Sequence, residues 1–72
     1  MRDPRKYPVA GDVITRLGTT RLVTTTKMNR RGTVTHVVYS HPAVAIPETE
    51  IAIASWRAWA KQDAMVVRAV WQ

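Results

Sequence analysis

The chain has 72 residues, no cysteine and a formal net charge of +6 at pH 7. A chain of this length is expected to fold as one domain, and without cysteine it can form no disulfide, thiolate nucleophile or cysteine-based zinc site. Hydrophobic residues make up 46% of the sequence, which is too high a share for a disordered chain. The positive charge favours acidic partners such as nucleic acid, an acidic protein or an anionic membrane surface. The alternative interpretation is a surface that is basic without serving a partner.

The N-terminal residues predict an extended arm. Residues 1–8 include Pro4 and Pro8, and proline disfavours both a helix interior and a central strand. We therefore expect residues 1–8 to be an extended arm and residues 9–72 to form a single β-barrel domain. Tyr7 is a candidate to fold back onto that domain. No apolar run suits a signal peptide or a membrane span, and a cysteine-free chain of this size favours a reducing cytoplasm.

Three β-prone segments follow the arm, at residues 11–17, 21–27 and 33–39. The β-branched residues in them, including a threonine run at 24–26, suit a pleated and half-exposed sheet. Short turns separate the segments, so they are expected to pair as consecutive antiparallel hairpins. Residues 29–32 fit a type I turn followed by a left-handed glycine, which makes a bulged hairpin with two arginines at its tip.

Residues 47–54 allow two interpretations, and both follow a proline-bounded loop at residues 40–47. In the first, a helix begins at Pro47, because proline suits the first helical position and acidic residues follow in the first turn. In the second, residues 48–53 form a fourth strand with alternating isoleucines, and a short helix begins with Ser55 as its N-cap. We favour the strand followed by the helix.

The order of these elements predicts a mainly β fold. We expect a small SH3-like five-stranded antiparallel barrel, with one short helix at about residues 55–61 before a last strand at residues 64–70. Closing the sheet into a barrel would remove its exposed edges. Trp56 and Trp59 are three residues apart and share one helix face, so they are the expected structural core at one end of the barrel.

Five short stretches form a pattern that extends over residues 10–70. They are Gly11-Asp12-Val13, Thr20-Arg21, Val38-Tyr39, Ser55-Trp56-Arg57-Ala58-Trp59-Ala60 and Ala64-Met65-Val66-Val67. Together they resemble small phage- and prophage-encoded proteins of unassigned function, which have a strand meander, a tryptophan-bearing helix and a last hydrophobic strand. The proline-flanked loop from His41 to Pro47 departs from the more compact link of that family. The resemblance implies an SH3-like fold, a bacterial cytoplasm as the setting, and no catalytic residue to transfer.

The sequence carries no arrangement typical of catalysis or metal binding. His36 lies in a predicted strand and His41 in the proline loop, and neither has a further ligand at metal-site spacing. No serine stands in a nucleophile-elbow context, and no glycine-rich phosphate loop occurs. We therefore expect a protein that is not an enzyme and has no catalytic residue, metal site, cofactor or small-molecule substrate.

The basic residues in and beside the second hairpin suggest a nucleic-acid interface. The predicted phosphate-binding residues are Arg16, Arg21, Lys27, Arg30 and Arg31. The predicted base-stacking residues are Tyr7, Tyr39 and Trp71. Charged hairpin tips also commonly increase solubility and prevent another strand from adding to the sheet. The basic stripe could therefore serve these purposes alone and bind no nucleic acid.

These observations lead to two hypotheses about function. The first is a non-enzymatic nucleic-acid-binding accessory protein that uses the basic hairpin. The second is a protein-interaction module that binds a host or phage protein, through a groove at Tyr39 or Trp71 or through an open strand edge. A membrane-surface role is disfavoured, because the basic arm has no amphipathic helix to insert.

Overall fold

The computed structural model of the protein describes residues 2–42, 47–61 and 63–70. The elements are β1 (Val13–Arg16), β2 (Thr19–Met28), β3 (Val34–Ser40), β4 (Thr49–Ala52), α1 (Ile53–Trp59) and β5 (Met65–Arg68). Every strand pairing is antiparallel, and the strand order in the sheet is β4-β3-β2-β1-β5. The prediction of a mainly β fold with a five-stranded antiparallel sheet and one short helix is confirmed.

Two tight turns set the register of the first three strands. Between β1 and β2, Arg16 pairs with Thr19, and the intervening Leu17 and Gly18 both have positive φ, of 50° and 79°. Two positive φ values are typical of a type I′ turn, whose twist matches that of the flanking strands. Between β2 and β3, Gly32 has a φ of 78°, as predicted for a left-handed glycine in that turn.

A bulge in β2 changes which side of the sheet its residues face. Val23 pairs with Tyr39, but Thr25 pairs with Val38, so Thr24 has no cross-strand partner of its own. An extra residue in one strand shifts the alternation of side chains by one position. Odd-numbered residues of β2 before the bulge and after it therefore lie on opposite faces of the sheet.

The sheet does not close into a barrel. Its edges are β4 and β5, which do not pair with each other within the part of the chain that the structure describes. Each of them has four residues, whereas β2, near the centre of the sheet, has ten. The predicted barrel is therefore corrected to an open five-stranded sheet.

The N-terminal segment, defined as residues 2–8, is hydrogen-bonded both to α1 and to the residue that precedes β5. Trp56 Nε1 donates a hydrogen bond to the carbonyl of Pro4 over 3.2 Å. Arg5 Nη1 donates to the carbonyl of Ala64 over 3.5 Å. The segment was expected to be an extended arm, but it contains a hydrogen-bonded turn and packs on the sheet and helix. Its two prolines are buried.

The region with two interpretations forms a strand and then a helix. β4 ends at Ala52 and α1 begins directly at Ile53, two residues before the predicted N-cap, Ser55. Ala52 occupies the N-cap position and supplies no side-chain hydrogen bond. Ile53 packs against the buried core, and this packing favours an earlier helix start than the capping signal predicted. No helix in the described ranges has the length and apolar character needed to cross a bilayer.

A cluster of buried side chains lies between α1 and the sheet. Its members are Ile14, Val23, Val37, Tyr39, Trp56, Ala60 and Ala64. Trp56 has no exposed surface, and full burial of so large a side chain stabilises the fold by about 3 kcal/mol. Trp59 packs against this cluster while staying partly exposed, and its ring centroid lies 5.6 Å from that of Trp56.

Asp12 joins residues near both ends of the chain to the start of β1. Its carboxylate has no exposed surface, and it accepts hydrogen bonds from the Arg2 guanidinium and from the backbone N–H groups of Val9 and Val70. Burial by itself raises the pKa of the Asp12 carboxyl, but the hydrogen bonds outweigh burial and hold that pKa below its usual value. We name this arrangement the Asp12 clasp.

Candidate nucleic-acid interface

The cations predicted to form one phosphate-binding stripe do not share one surface. Arg21 precedes the β2 bulge and pairs with Ile14, a core residue, so it lies on the face of the sheet that packs on α1. Lys27 follows the bulge and pairs with His36, so it lies on the opposite face. The bulge therefore divides the predicted stripe between the two sides of the sheet.

Arg21 is enclosed between two aromatic rings. Its guanidinium carbon lies 4.2 Å from the ring centroid of Tyr39 and 4.0 Å from that of Trp59, within the range of cation–π attraction. Its Nε and Nη1 atoms are buried and have no hydrogen-bond partner among the described residues. Burial lowers the pKa of the Arg21 guanidinium, and the influence of Tyr39 opposes this only in part. Tyr39 is itself 5% exposed and Arg21 is half-buried, so neither side chain is presented on the surface as a phosphate or base contact would require.

Arg16 ties β1 to the end of α1. Its Nη1 donates to the carbonyl of Trp59 over 2.8 Å, and its Nε lies 3.0 Å from Oδ1 of Asp63. A cation at the C-terminal end of a helix satisfies an unpaired carbonyl and opposes the negative end of the helix dipole. Arg16 therefore caps α1, while its side chain also lines the groove described below.

The hairpin tip presents two of the predicted cations. Arg30 and Arg31 lie in the turn between β2 and β3 and are exposed, and neither forms an ion pair with a described residue. Lys27 instead pairs with Glu50 across β3. This hydrogen bond lowers the pKa of the Glu50 carboxyl below its usual value. Of the five predicted cations, the structure brings Arg30 and Arg31 together at an exposed position.

A second basic surface lies in a groove between the N-terminal segment and the end of α1. The groove has a volume of about 960 Å³. Its ionisable lining consists of the cations Arg5, Lys6, Arg16, Arg57 and Lys61 and the carboxylates Asp3 and Asp63, with Tyr7 as the aromatic member. Five basic side chains against two carboxylates give the groove a formal charge of +3.

Ion pairs within the groove involve two of its cations. Arg5 pairs with Asp3 at 3.1 Å, and this interaction, chiefly the hydrogen bond from Arg5, lowers the pKa of the Asp3 carboxyl. Arg16 pairs with Asp63, as described above. The other three are exposed and form no ion pair with any described residue. These three, named the groove cations, are Lys6, Arg57 and Lys61.

Tyr7 lines the same groove and is 61% exposed. The guanidinium carbon of Arg57 lies 5.5 Å from the Tyr7 ring centroid. Arg57 Nε donates to the carbonyl of Lys6 over 2.9 Å, and this bond holds the guanidinium beside the ring. Of the predicted stacking residues, Tyr7 is accessible and Tyr39 is buried, while Trp71 lies outside the residues that the structure describes.

The groove cations were not predicted as a site, because their proximity depends on contacts between distant parts of the chain. Arg57 and Lys6 are 51 residues apart in sequence. One signal was readable: Arg57 and Lys61 are four residues apart, a spacing that places side chains on one side of a helix. The turn that brings Lys6 to them also has a local signature, since Asp3-Pro4 is typical of a turn start, but nothing in the local sequence indicates that this turn packs beside α1.

The described residues include no group of three or more histidine, aspartate or glutamate side chains that could hold a metal ion. The groove, the hairpin tip and the exposed edge strand β5 are the features from which a function can be inferred. Comparison with protein-family models, with curated proteins and with solved structures finds no match to this chain.

Proposed function

We propose that this protein is a non-enzymatic nucleic-acid-binding accessory protein and that the groove is its phosphate-binding surface. The observation that carries the proposal is the clustering of the three groove cations, exposed and outside ion pairs with described residues, in a groove of formal charge +3. Clustered cations on one surface are the electrostatic footprint of phosphate-backbone binding. The net charge of +6 favours the approach of a polyanion from a distance.

The hairpin tip is an auxiliary contact in this proposal. Arg30 and Arg31 are exposed on a short turn, and side chains at such a tip can reach a phosphate that the groove does not hold. Their contribution is expected to be smaller, since neither forms a cation–π contact with a described residue and neither lines the groove.

The test is the salt dependence of binding to a labelled oligonucleotide, measured by fluorescence anisotropy. The logarithm of the binding constant falls linearly with the logarithm of salt concentration, with a slope of about 0.7–0.9 per phosphate contact. Replacing the groove cations together, as Lys6→Gln, Arg57→Gln and Lys61→Gln, is expected to lower the slope by about two to three. The control is Arg30→Gln with Arg31→Gln, which removes two charges rather than three and should lower the slope by less than the value of about 1.4–1.8 expected if both arginines bound phosphate. An unchanged slope in the groove variant would remove the groove as the binding surface.

A second candidate function, protein interaction, is supported by the edge strand β5. All four of its residues are exposed, including Met65 at 68% and Val67 at 62%. An exposed apolar edge is a template for the addition of another strand. The opposite edge, β4, carries the exposed Glu50, whose negative charge would repel an acidic segment. We propose an extended segment of an acidic protein as the occupant of β5, because Arg68 lies on the strand and the chain has a charge of +6.

An NMR titration with a blocked peptide that alternates glutamate and valine tests this second candidate. Amide shifts confined to Met65–Arg68, and lost in Val67→Lys, would support strand addition at β5. The same peptide with lysine in place of glutamate is the control for charge. Absence of shifts would reject the candidate, and concentration-dependent dimerisation without peptide would identify a second copy of the chain as the occupant instead.

We also propose that the fold is an open relative of the SH3-like barrel and that the protein acts in the cytoplasm of a bacterium that carries a phage or prophage. The strand meander with a helix before the last strand supports the first part. The sequence pattern over residues 10–70 supports the second. An experimental structure with a different strand order would contradict the first part, and a gene located among host metabolic genes would count against the second.

A further inference from the structure

We infer that the groove takes a single-stranded segment of nucleic acid, with one unpaired base stacked on Tyr7 and the adjoining phosphates held by the groove cations. This inference rests on the proposed function and adds the class of nucleic acid to it. The first observation is the exposure of Tyr7, which is 61% although its ring lies inside a groove. A large aromatic side chain left this exposed contributes little to the core, and it offers area for a ligand.

The backbone that carries the Tyr7 ring is fixed on both sides. The Tyr7 N–H donates to the carbonyl of Asp3 over 2.8 Å, and the Tyr7 carbonyl accepts from Arg2 Nη1 over 2.9 Å. The next residue, Pro8, is buried. The ring is therefore presented from an ordered support, and a base that stacks on it need not also order the chain that carries it.

The cation nearest to the ring is also held in place. Arg57 Nε donates to the carbonyl of Lys6, so the guanidinium stays 5.5 Å from the Tyr7 ring centroid. Its terminal nitrogens have no further partner among the described residues. A base stacked on Tyr7 would bring its own phosphates within reach of this guanidinium, with Lys6 and Lys61 lining the same groove. One ring beside several cations is the arrangement by which proteins bind single strands.

A double helix fits this arrangement poorly. Its bases are stacked on one another, and it presents only base edges and backbone to a protein. To place a base on Tyr7, a duplex would first have to lose stacking and pairing, which costs a few kcal/mol per nucleotide. The cations here also line a recess, whereas proteins that read a duplex usually insert a helix or a strand ribbon into its major groove. A single strand meets neither obstacle.

The experiment compares a short single-stranded oligothymidylate with a blunt duplex of equal charge, using wild type, Tyr7→Leu and Tyr7→Phe. Loss of one stacked base should weaken binding of the single strand by about 5- to 150-fold in Tyr7→Leu. The salt slope should stay unchanged, because no charge is removed. Tyr7→Phe keeps the ring and should bind like wild type, and the duplex should bind more weakly and be indifferent to both substitutions. Thermal unfolding of each variant checks that the fold is kept.

The failures of the two proposals are distinguishable. If Tyr7→Leu binds the single strand as wild type does, or if the duplex binds at least as tightly, the single-strand inference is overturned while the groove remains a phosphate-binding surface. If neither oligonucleotide binds with a salt slope that depends on the groove cations, the proposed function itself fails and the inference fails with it.

Discussion

Replacing Asp12 with alanine removes the acceptor on which three separate parts of the chain converge. The carboxylate has no exposed surface, and its partners are the Arg2 guanidinium and the backbone N–H groups of Val9 and Val70. Alanine would leave both N–H groups without this acceptor. It would also leave the Arg2 guanidinium, whose side chain is only 21% exposed, without its counter-ion. The N-terminal segment and the chain after β5 would both lose their link to β1.

The size of the loss follows from these partners. Removing one member of a buried ion pair costs about 3–5 kcal/mol, and each backbone N–H left unpaired costs about 1–3 kcal/mol. Because water can reach part of the Arg2 side chain, the cost of breaking this ion pair is smaller than that of a fully buried one. The two N–H groups together account for about 2–6 kcal/mol, and the partly screened ion pair adds to this, so we expect Asp12→Ala to lower the free energy of unfolding by at least about 3 kcal/mol. The total for a chain of this length is about 4–11 kcal/mol, so the variant should be marginal at room temperature.

Urea unfolding followed by tryptophan fluorescence measures this loss, since Trp56 is buried and reports on the core. The control is Asp3→Asn, which removes a more exposed ion pair with Arg5 and should cost no more than about 1 kcal/mol. A loss in Asp12→Ala as small as that of the control would show that the buried carboxylate does not hold the fold together.

The pH dependence of the Asp12 clasp has a definite sign. Folding lowers the pKa of the Asp12 carboxyl below its usual value of 3.8. The stabilisation that the ionised carboxylate provides is therefore present above the unfolded-state pKa, and it is lost as pH falls through the folded-state pKa. The difference in stability between wild type and Asp12→Asn should therefore shrink as pH is lowered below about 5. A difference that grows on acidification would contradict the assigned hydrogen bonds.

Three further pairs of substitutions test the packing. Trp56→Ala should lower the free energy of unfolding, measured in urea, by about 3–5 kcal/mol. Trp59→Ala should lower it less, because Trp59 is partly exposed. A larger loss in Trp59→Ala than in Trp56→Ala would contradict the core assignment. Arg21→Met keeps an aliphatic side chain and removes two buried donors without partners among the described residues, so its melting temperature should lie near that of wild type. Arg21→Ala also loses the aliphatic packing and should melt at a lower temperature. Equal decreases in the melting temperature of both variants would show that the guanidinium itself is needed. Gly11→Ala places a Cβ atom 2.8 Å from a valine methyl at a φ of +97°, whereas Gly18→Ala meets open space at +79°. Gly11→Ala should therefore cost about 1–3 kcal/mol more than Gly18→Ala, and equal costs would argue against close packing at Gly11.

The strands were predictable because local sequence determines them. β-branched runs bounded by glycine turns gave the first three strands, and the positive φ of Gly32 matches the turn predicted from residues 29–32. The choice of a strand before the helix at residues 47–54 also followed from the local alternation of isoleucines. The structure agrees with it, because Ile51 pairs with Val37 in the sheet. The start of α1 was predicted two residues late, because the packing of Ile53 on the core outweighs the capping preference of serine.

The stripe and the barrel were not predictable in the same way. Strict alternation places Arg21 and Lys27 on one face, and the bulge at Thr24 separates them; no glycine or proline marks that position. Arg21 and Val23 share a face by simple alternation, and this was a readable signal that Arg21 points to the core. Barrel closure depends on whether β4 and β5 pair with each other, a contact between distant parts of the chain that the local sequence pattern does not encode.

The groove depends on contacts between the N-terminal segment and the end of α1. Its role as the binding surface is tested by an NMR map of the amide shifts of isotope-labelled protein as oligothymidylate is added at low salt. We expect small shifts at residues 29–32 and the largest shifts at the groove residues Lys6, Tyr7, Arg57 and Lys61. Largest shifts at the hairpin tip, or none at the groove at saturation, would contradict this expectation.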